Sequence, residues 1–119
     1  MTQDSSIQYV GLDVHQETIS VAVAAPGRDP AVWTGTIPHR PDAIRQLMAK
    51  VGDPASLLVG YEAGPCGYTL QRQLTGMGIS CQVIAPSLIP RRPGNHVKTD
   101  RRDAIQLAEL LRGGYLTAI

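Results

Sequence analysis

The sequence predicts an α/β domain: a mixed five-stranded sheet with its first three strands antiparallel and helices on both faces. Three β-rich segments follow one another on short turns, which is typical of an antiparallel meander. Helical and strand patterns then alternate to the end of the chain, as in parallel crossover connections. The chain has 119 residues, of which 43% are hydrophobic, so it can build one packed core.

The meander is predicted from residues 7–14, 18–25 and 31–37. The first segment reads IQYVGLDV and alternates as a half-buried strand does. The second follows after a tight turn, and the turn sequence PGRDP separates it from the third. Residues 1–6 are polar and are expected to form a flexible start that is not a signal peptide.

The second half of the sequence predicts three helices and two further strands. Helices are expected at residues 42–51, 68–75 and 100–112, and strands at residues 56–61 and 79–85. The fourth strand is a continuous apolar run, which indicates a central strand buried on both faces. Before the last helix, residues 86–99 form a basic loop with three prolines, and the sequence predicts that this loop is mobile.

Two carboxylates lie at the carboxyl ends of predicted apolar strands. Asp13 shares a face of the first strand with Gly11, which leaves room for close approach, and a carboxylate among apolar residues needs a compensating partner. Glu62 ends the fourth strand, although a solvated strand end explains it equally well. Ligands of such sheets bind at the carboxyl ends of parallel strands. If the first and fourth strands are neighbours, Asp13 and Glu62 lie side by side.

Two more carboxylates, Asp100 and Asp103, begin the last helix. Helix capping alone would account for both. The apolar stripe of this helix consists of Ala104, Leu107, Ala108 and Leu111. Continued backwards by three and four residues, the stripe reaches both aspartates, so the helical phase predicts that they extend the inward face.

A cluster of four carboxylates without Cys or His predicts Mg²⁺ or Mn²⁺, and two such ions can clamp a phosphodiester. The net charge is only +1, but five of the 11 Lys and Arg residues are close together in the sequence. These five predicted phosphate-binding residues are Arg91, Arg92, Lys98, Arg101 and Arg102. His15 shares the face of Asp13 and could support it or contact a phosphate, although such a histidine more often simply ends a strand.

Three sequence blocks resemble the signatures of the DEDD transposases of bacterial insertion sequences, of the insertion-sequence one-hundred-and-ten (IS110) type related to the Piv invertases. They are YVGLDVH at residues 9–15, YEAGPCGY at residues 61–68 and VKTDRRDA at residues 97–104. The resemblance implies an amino-terminal catalytic domain with an RNase H-like, RuvC-like fold. It also implies that Asp13, Glu62, Asp100 and Asp103 bind two Mg²⁺ ions for DNA strand cleavage and transfer.

The resemblance further implies several partners. These are transposon-end and target DNA, a guide-type non-coding RNA, and further copies of the full protein. It implies a carboxyl-terminal domain beyond residue 119 that supplies a nucleophilic serine, so the isolated chain is expected to be inactive or weakly active. Gln16 replaces a Lys found in many members, which concerns a turn contact rather than the metal site.

The sequence is also compatible with other functions. A non-catalytic nucleic-acid-binding module would have the same basic cluster. An actin-like or sugar-kinase domain would need glycine-rich phosphate loops, and the sequence contains neither common pattern.

Tyr61 and Tyr68 could stack on bases or pack in the core. Cys66 and Cys81 show no pairing pattern and no apolar run reaches membrane-spanning length, which predicts a cytoplasmic protein with reduced thiols.

Overall fold

The computed structural model describes residues 7–64, 67–85, 100–116 and 118. Its elements are, in chain order, β1 (Gln8–Val14), β2 (Thr18–Ala24), β3 (Val32–Pro38), α1 (Pro41–Val51), a short 3₁₀ turn (Pro54–Ser56), β4 (Leu57–Glu62), α2 (Thr69–Gly76), β5 (Ser80–Ile84) and α3 (Asp100–Gly113). The eight predicted strands and helices are therefore confirmed, with boundaries shifted by one residue at most ends. The 3₁₀ turn was not predicted.

The five strands form one mixed sheet in the order β3-β2-β1-β4-β5. The pairs β1–β2 and β2–β3 are antiparallel, and the pairs β1–β4 and β4–β5 are parallel. The predicted sheet is confirmed, including the adjacency of its first and fourth strands. This arrangement is consistent with an RNase H-like fold.

One face of the sheet packs against α1 and α2. The core on this side includes Leu12 and Val59 from the sheet, Ile44 from α1, and Leu70 and Leu74 from α2. All five side chains are buried. The buried residues of α1 (Ile44, Leu47 and Met48) and of α2 (Leu70 and Leu74) have helical spacing. Val10 and Leu12 alternate along β1, so the sequence pattern predicts this half of the core.

The opposite face packs against α3 through small residues. The core here consists of Ala22, Ala24, Ala31, Ala104 and Ala108. A Cβ atom added to Gly11 would lie 2.4 Å from the carbonyl oxygen of Ala104 and 2.6 Å from the amide nitrogen of Ala108. The helix backbone therefore rests directly on the strand, and only glycine fits at position 11.

The carboxyl half of α3 is tied to the β2–β3 hairpin. Arg112 Nη1 donates hydrogen bonds to the carbonyl oxygens of Ala25 (3.0 Å) and Asp29 (2.7 Å). Glu109 Oε2 accepts one from the amide of Ala31 (2.9 Å). Because this hairpin lies beside the amino end of β1, α3 runs antiparallel to β1. The first turn of α3 is thus at the carboxyl ends of β1 and β4.

None of the described helices is long and apolar enough to span a membrane.

A bulge in β3 changes which side chains share a face. The β2–β3 register shifts between Val21 and Ala22, so that Val21 pairs with Gly35 and Ala22 pairs with Trp33. Gly35 has a φ of 135°, which favours glycine. Trp33 consequently packs on the α3 side of the sheet. On the same side, Thr36 pairs with Ser20.

The substitution Gly11→Ala tests the contact between α3 and β1. The new methyl group meets backbone atoms that cannot rotate away, so we expect the free energy of unfolding to fall by about 2–3 kcal/mol. Gly76→Ala is the matched control, since no atom lies within 4 Å of its added Cβ and alanine favours the helix. Urea unfolding monitored by circular dichroism measures both variants, and equal stabilities would contradict the close approach.

Candidate active site at the carboxyl edge of the sheet

Asp13 and Glu62 occupy neighbouring positions on β1 and β4. The parallel register pairs Gly11 with Gly60 and Leu12 with Tyr61, so one further residue brings Asp13 opposite Glu62. Paired residues of neighbouring strands point to the same face. The two carboxylates therefore share one face and one edge of the sheet, as the sequence predicted for adjacent strands.

That face is the one covered by α3. Gly11 and Gly60 lie two residues before the two carboxylates and approach Ala104 and Leu111 of this helix. Asp103 is half-buried and directly precedes Ala104, so the first turn of α3 brings a third carboxylate to the same end of the sheet. We call Asp13, Glu62 and Asp103 the carboxylate edge. Asp100 is the first residue of α3, and its side chain lies outside the described part of the structure.

His15 holds the carboxylate of Asp13. His15 Nε2 donates a hydrogen bond to Asp13 Oδ2 at 2.9 Å, with 46% of the histidine side chain and 19% of the aspartate side chain exposed. The backbone of His15 is held as well, because its amide donates to the Thr18 carbonyl (2.8 Å) and its carbonyl accepts from His39 Nδ1 (2.7 Å). The predicted support of Asp13 by His15 thus has a direct geometric basis.

The sequence did not reveal the role of His39. His39 directly follows β3, and His15 directly follows β1. The two residues meet at one edge of the sheet because β2 pairs with both of these strands in antiparallel orientation. The amide of His39 also donates to the carbonyl of Glu17 at 2.9 Å. A contact between residues so far apart in the chain has no local signal in the sequence.

Tyr61 holds the segment that follows Glu62. Its side chain is fully buried (0% exposed), so of the two predicted roles of Tyr61, packing in the core is confirmed and stacking on bases is wrong. Its hydroxyl donates to the carbonyl of Gly67 (2.7 Å) and accepts from the amide of Gln71 (3.2 Å). The β4–β5 ladder also continues past Glu62, where the Ala63 amide donates to the Ile84 carbonyl (2.8 Å). The backbone is therefore held on both sides of Glu62.

A polar row continues the carboxylate edge across the sheet. Asp13 pairs with Ser20 of β2, and Ser20 pairs with Thr36 of β3. Ser20 is buried, with 1% of the residue exposed. Its hydroxyl lies 3.4 Å from Thr36 Oγ1. Sequence reasoning placed Ser20 within a strand and did not single it out.

The described part of the predicted basic cluster lies in the first turn of α3. Arg101 and Arg102 are exposed there, off the inward face, as predicted. The guanidinium carbon of Arg101 lies 5.7 Å from the ring centroid of Trp33. Positive charge is unfavourable at a helix amino terminus, so these arginines are not explained by helix stability. The other cluster members, Arg91, Arg92 and Lys98, and the whole predicted mobile loop at residues 86–99 lie outside the described residues.

The donor set of the carboxylate edge suits a hard cation, because aspartate and glutamate oxygens are the ligands that Mg²⁺ and Mn²⁺ prefer. Among the side chains that the structure describes, no three Asp, Glu, His or Cys residues come close enough together to hold a metal ion. Those side chains do not include Asp100, the fourth predicted ligand.

Cys81 takes no part in this site. It lies in β5 opposite Val59, on the face that packs against α1 and α2. The thiol is free, and burial raises its pKa to about 12. Since the thiolate is the nucleophilic form, Cys81 is inert near neutral pH. Cys66 lies outside the described residues.

A transposase family model, that of the IS110 type with the DEDD motif, matches residues 10–119. The protein y4qE of Sinorhizobium fredii, whose name assigns it as a transposase, is 45% identical over 113 residues, or 93% of this chain and 29% of its own length. The transposase for insertion sequence element IS1533 of Leptospira borgpetersenii is 39% identical over 105 residues, or 87% of this chain and 30% of its own length. The chain thus spans less than a third of either relative.

Tyr61→Phe tests whether the buried hydroxyl holds the segment after Glu62. The substitution keeps the ring but removes the bonds to Gly67 and Gln71, so we expect a loss of about 1–2 kcal/mol in the free energy of unfolding. Tyr68→Phe at an exposed position serves as the control and should change stability by less than about 0.5 kcal/mol. Chemical denaturation of both variants decides the matter, and a Tyr61→Phe chain as stable as the wild type would refute this role.

Proposed function

The chain belongs to the IS110 type of DEDD transposases, and we propose that it forms the part of such an enzyme that binds the catalytic metal ions for DNA strand cleavage and transfer. The observation that carries the proposal is that Asp13 and Glu62 are neighbours on one face and edge of the sheet, at the end where α3 begins. Residues from three separate parts of the sequence contribute carboxylates there. Structural stability alone does not require like charges at one edge.

In this proposal, Asp13, Glu62, Asp100 and Asp103 hold two divalent cations, Mg²⁺ or Mn²⁺. When bound, such ions activate the attacking group and stabilise the charge that develops on the leaving oxygen of a phosphodiester. Asp13 and Glu62 would hold such ions on the β1–β4 pair, and Asp100 and Asp103 would hold them on the first turn of α3. A site built on two central strands and one packed helix keeps this geometry better than a site built on loops.

His15 orients Asp13 rather than binding the substrate. Its Nε2–H group engages Asp13 Oδ2, which leaves the aspartate with a defined orientation. Outer hydrogen bonds of this kind hold ligand carboxylates in place and tune their affinity for the metal. His39 in turn holds the backbone of His15, so the support extends from β3 to the metal-binding edge.

DNA is the proposed substrate, and its phosphates are the proposed partners of the basic cluster. Arg101 and Arg102 are exposed beside the carboxylate edge. Arg91, Arg92 and Lys98 are assigned to the same role from the sequence alone. An acidic centre flanked by basic residues suits the cleavage of a polyanion, because the arginines would attract the backbone while the carboxylates would hold the metal ions near one phosphate.

The whole transposase is proposed to act as an oligomer in the bacterial cytoplasm, on transposon ends and target DNA. A guide-type non-coding RNA is a further proposed partner, from the family resemblance. The attacking serine is assigned, by the same resemblance, to another region of the whole protein. The carboxylate edge then supplies metal binding and charge stabilisation, while positioning of the nucleophile depends on that other region.

Metal binding by this chain is expected to depend on Asp13. Loss of a ligand costs at least as much as loss of an outer-shell partner, so Asp13→Asn should weaken Mn²⁺ binding by about 10-fold or more. Isothermal titration calorimetry with Mn²⁺ measures the affinity directly. A metal titration of Glu62→Gln should give a similar loss.

Asp53→Asn is the matched control for the metal titration. Asp53 is exposed and precedes β4, at the end of the strand opposite Glu62, so its substitution removes the same charge far from the site. Its Mn²⁺ affinity should equal that of the wild type. If Asp13→Asn and Asp53→Asn bind Mn²⁺ equally well, Asp13 is not a ligand.

Strand cleavage should require the carboxylate edge within the whole transposase. We expect Asp103→Ala to reduce Mg²⁺-dependent cleavage of transposon-end DNA on the order of 100-fold or more, since charge stabilisation at the reacting phosphate is lost. The isolated 119-residue chain should cleave little, because the proximity advantage of a positioned nucleophile is missing. Strong cleavage by the isolated chain, abolished by Asp103→Ala, would show that this chain is a self-sufficient nuclease.

A further inference from the structure

The contact between Arg101 and Trp33 has no part in the metal site. Trp33 lies on β3, half-buried against the alanine core under α3. The guanidinium carbon of Arg101 stands 5.7 Å from its ring centroid, within the range of a cation–π interaction. The two residues are far apart in the sequence. The bulge in β3 places the side chain of Trp33 on the face of the sheet that α3 covers.

The cation–π contact leaves the hydrogen-bonding groups of Arg101 available. A guanidinium carries five N–H donors, and an aromatic ring replaces none of the oxygen acceptors that these donors can bind. Among the residues that the structure describes, no carbonyl or carboxylate accepts a hydrogen bond from Arg101. An exposed arginine whose guanidinium lies near an aromatic ring can present its N–H donors to a further ligand with acceptor oxygens.

The pair formed by Arg101 and Trp33 lies on the same face of the sheet as the carboxylate edge. Trp33 pairs with Ala22 and Ala22 pairs with Gly11, two residues before Asp13 on the same face. Trp33 is therefore displaced from Asp13 by two strand spacings across the sheet and two residues along it, or about 12 Å. At this distance, a nucleic-acid strand with one phosphate at the carboxylate edge would be able to bring a neighbouring part of its backbone to Arg101.

We propose that Trp33 is a positioning residue that holds Arg101 for contact with a backbone phosphate of bound DNA beside the carboxylate edge. The inference rests on the proposed function, because it takes DNA as the ligand. The planar guanidinium matches two phosphate oxygens. The contact with Trp33 limits the motion of the Arg101 side chain, so less conformational entropy is lost when the phosphate binds. Trp33 thus contributes to affinity without needing to touch the DNA.

Equilibrium binding of this chain to duplex DNA in EDTA tests the proposal without cleavage. Arg101→Gln should weaken binding several-fold and make the slope of log affinity against log salt shallower by about 0.9, the value for one phosphate contact. Trp33→Leu keeps every charge and should weaken binding about two- to fivefold, with most of the affinity restored in Trp33→Tyr. Arg45→Gln on α1, on the opposite face of the sheet, removes an exposed charge and should leave both quantities unchanged.

Coupling between the two residues separates positioning from a general structural effect. If Trp33 acts through Arg101, Arg101→Gln should reduce affinity much less in the Trp33→Leu background than in the wild type. Trp33 is the single tryptophan of the chain, so its fluorescence reports on the contact with Arg101 directly. DNA should change this emission in the wild type, and Arg101→Gln should reduce the change.

Independent effects of the two substitutions, or a salt slope unaltered by Arg101→Gln in a chain that binds DNA, would overturn the inference and leave the proposed function standing. A chain that binds Mn²⁺ through Asp13 but shows the Arg101 dependence only with duplex RNA of equal length would overturn the assignment to DNA. Failure of the metal titration is a separate result that concerns the proposed function alone.

Discussion

The close contact between α3 and β1 is the constraint on which the rest of the structure depends. With glycine at position 11 and alanine at positions 104 and 108, the helix backbone lies directly on the strand. Larger side chains would lift the helix from the sheet and move its first turn. Because that turn carries Asp103 and Arg101, the same contact places a carboxylate at the sheet edge and a guanidinium over Trp33. Small residues in the core thus set the geometry of charged residues at the surface.

The two faces of the sheet have different roles. Large aliphatic side chains under α1 and α2 supply most of the apolar burial, and thereby most of the hydrophobic stabilisation. The alanine core under α3 buries less area but holds the helix at a defined height. Hydrogen bonds from Arg112 and to Glu109 then fix the direction of the helix against the β2–β3 hairpin. Stability and precise positioning are therefore provided by separate parts of the core.

The edge itself is held from both sides. On the β1 side, His39 holds the backbone of His15, whose ring engages Asp13. On the β4 side, the buried hydroxyl of Tyr61 joins Gly67 to the start of α2. Carboxylates that share one edge repel one another, and such supporting contacts keep them in place against this repulsion.

The sequence by itself determined the element order, the mixed sheet and the phase of α3, because hydrophobic periodicity is a local property that survives without coordinates. The same periodicity identified Asp13, Glu62 and Asp103 as candidates at strand and helix ends. Only the tertiary structure decided that His39 reaches His15, that Tyr61 is buried, and that Trp33 faces α3. Each of these depends on strand register, a bulge or a helix position. Such features arise from contacts between residues distant in the chain, and no local pattern in the sequence encodes them.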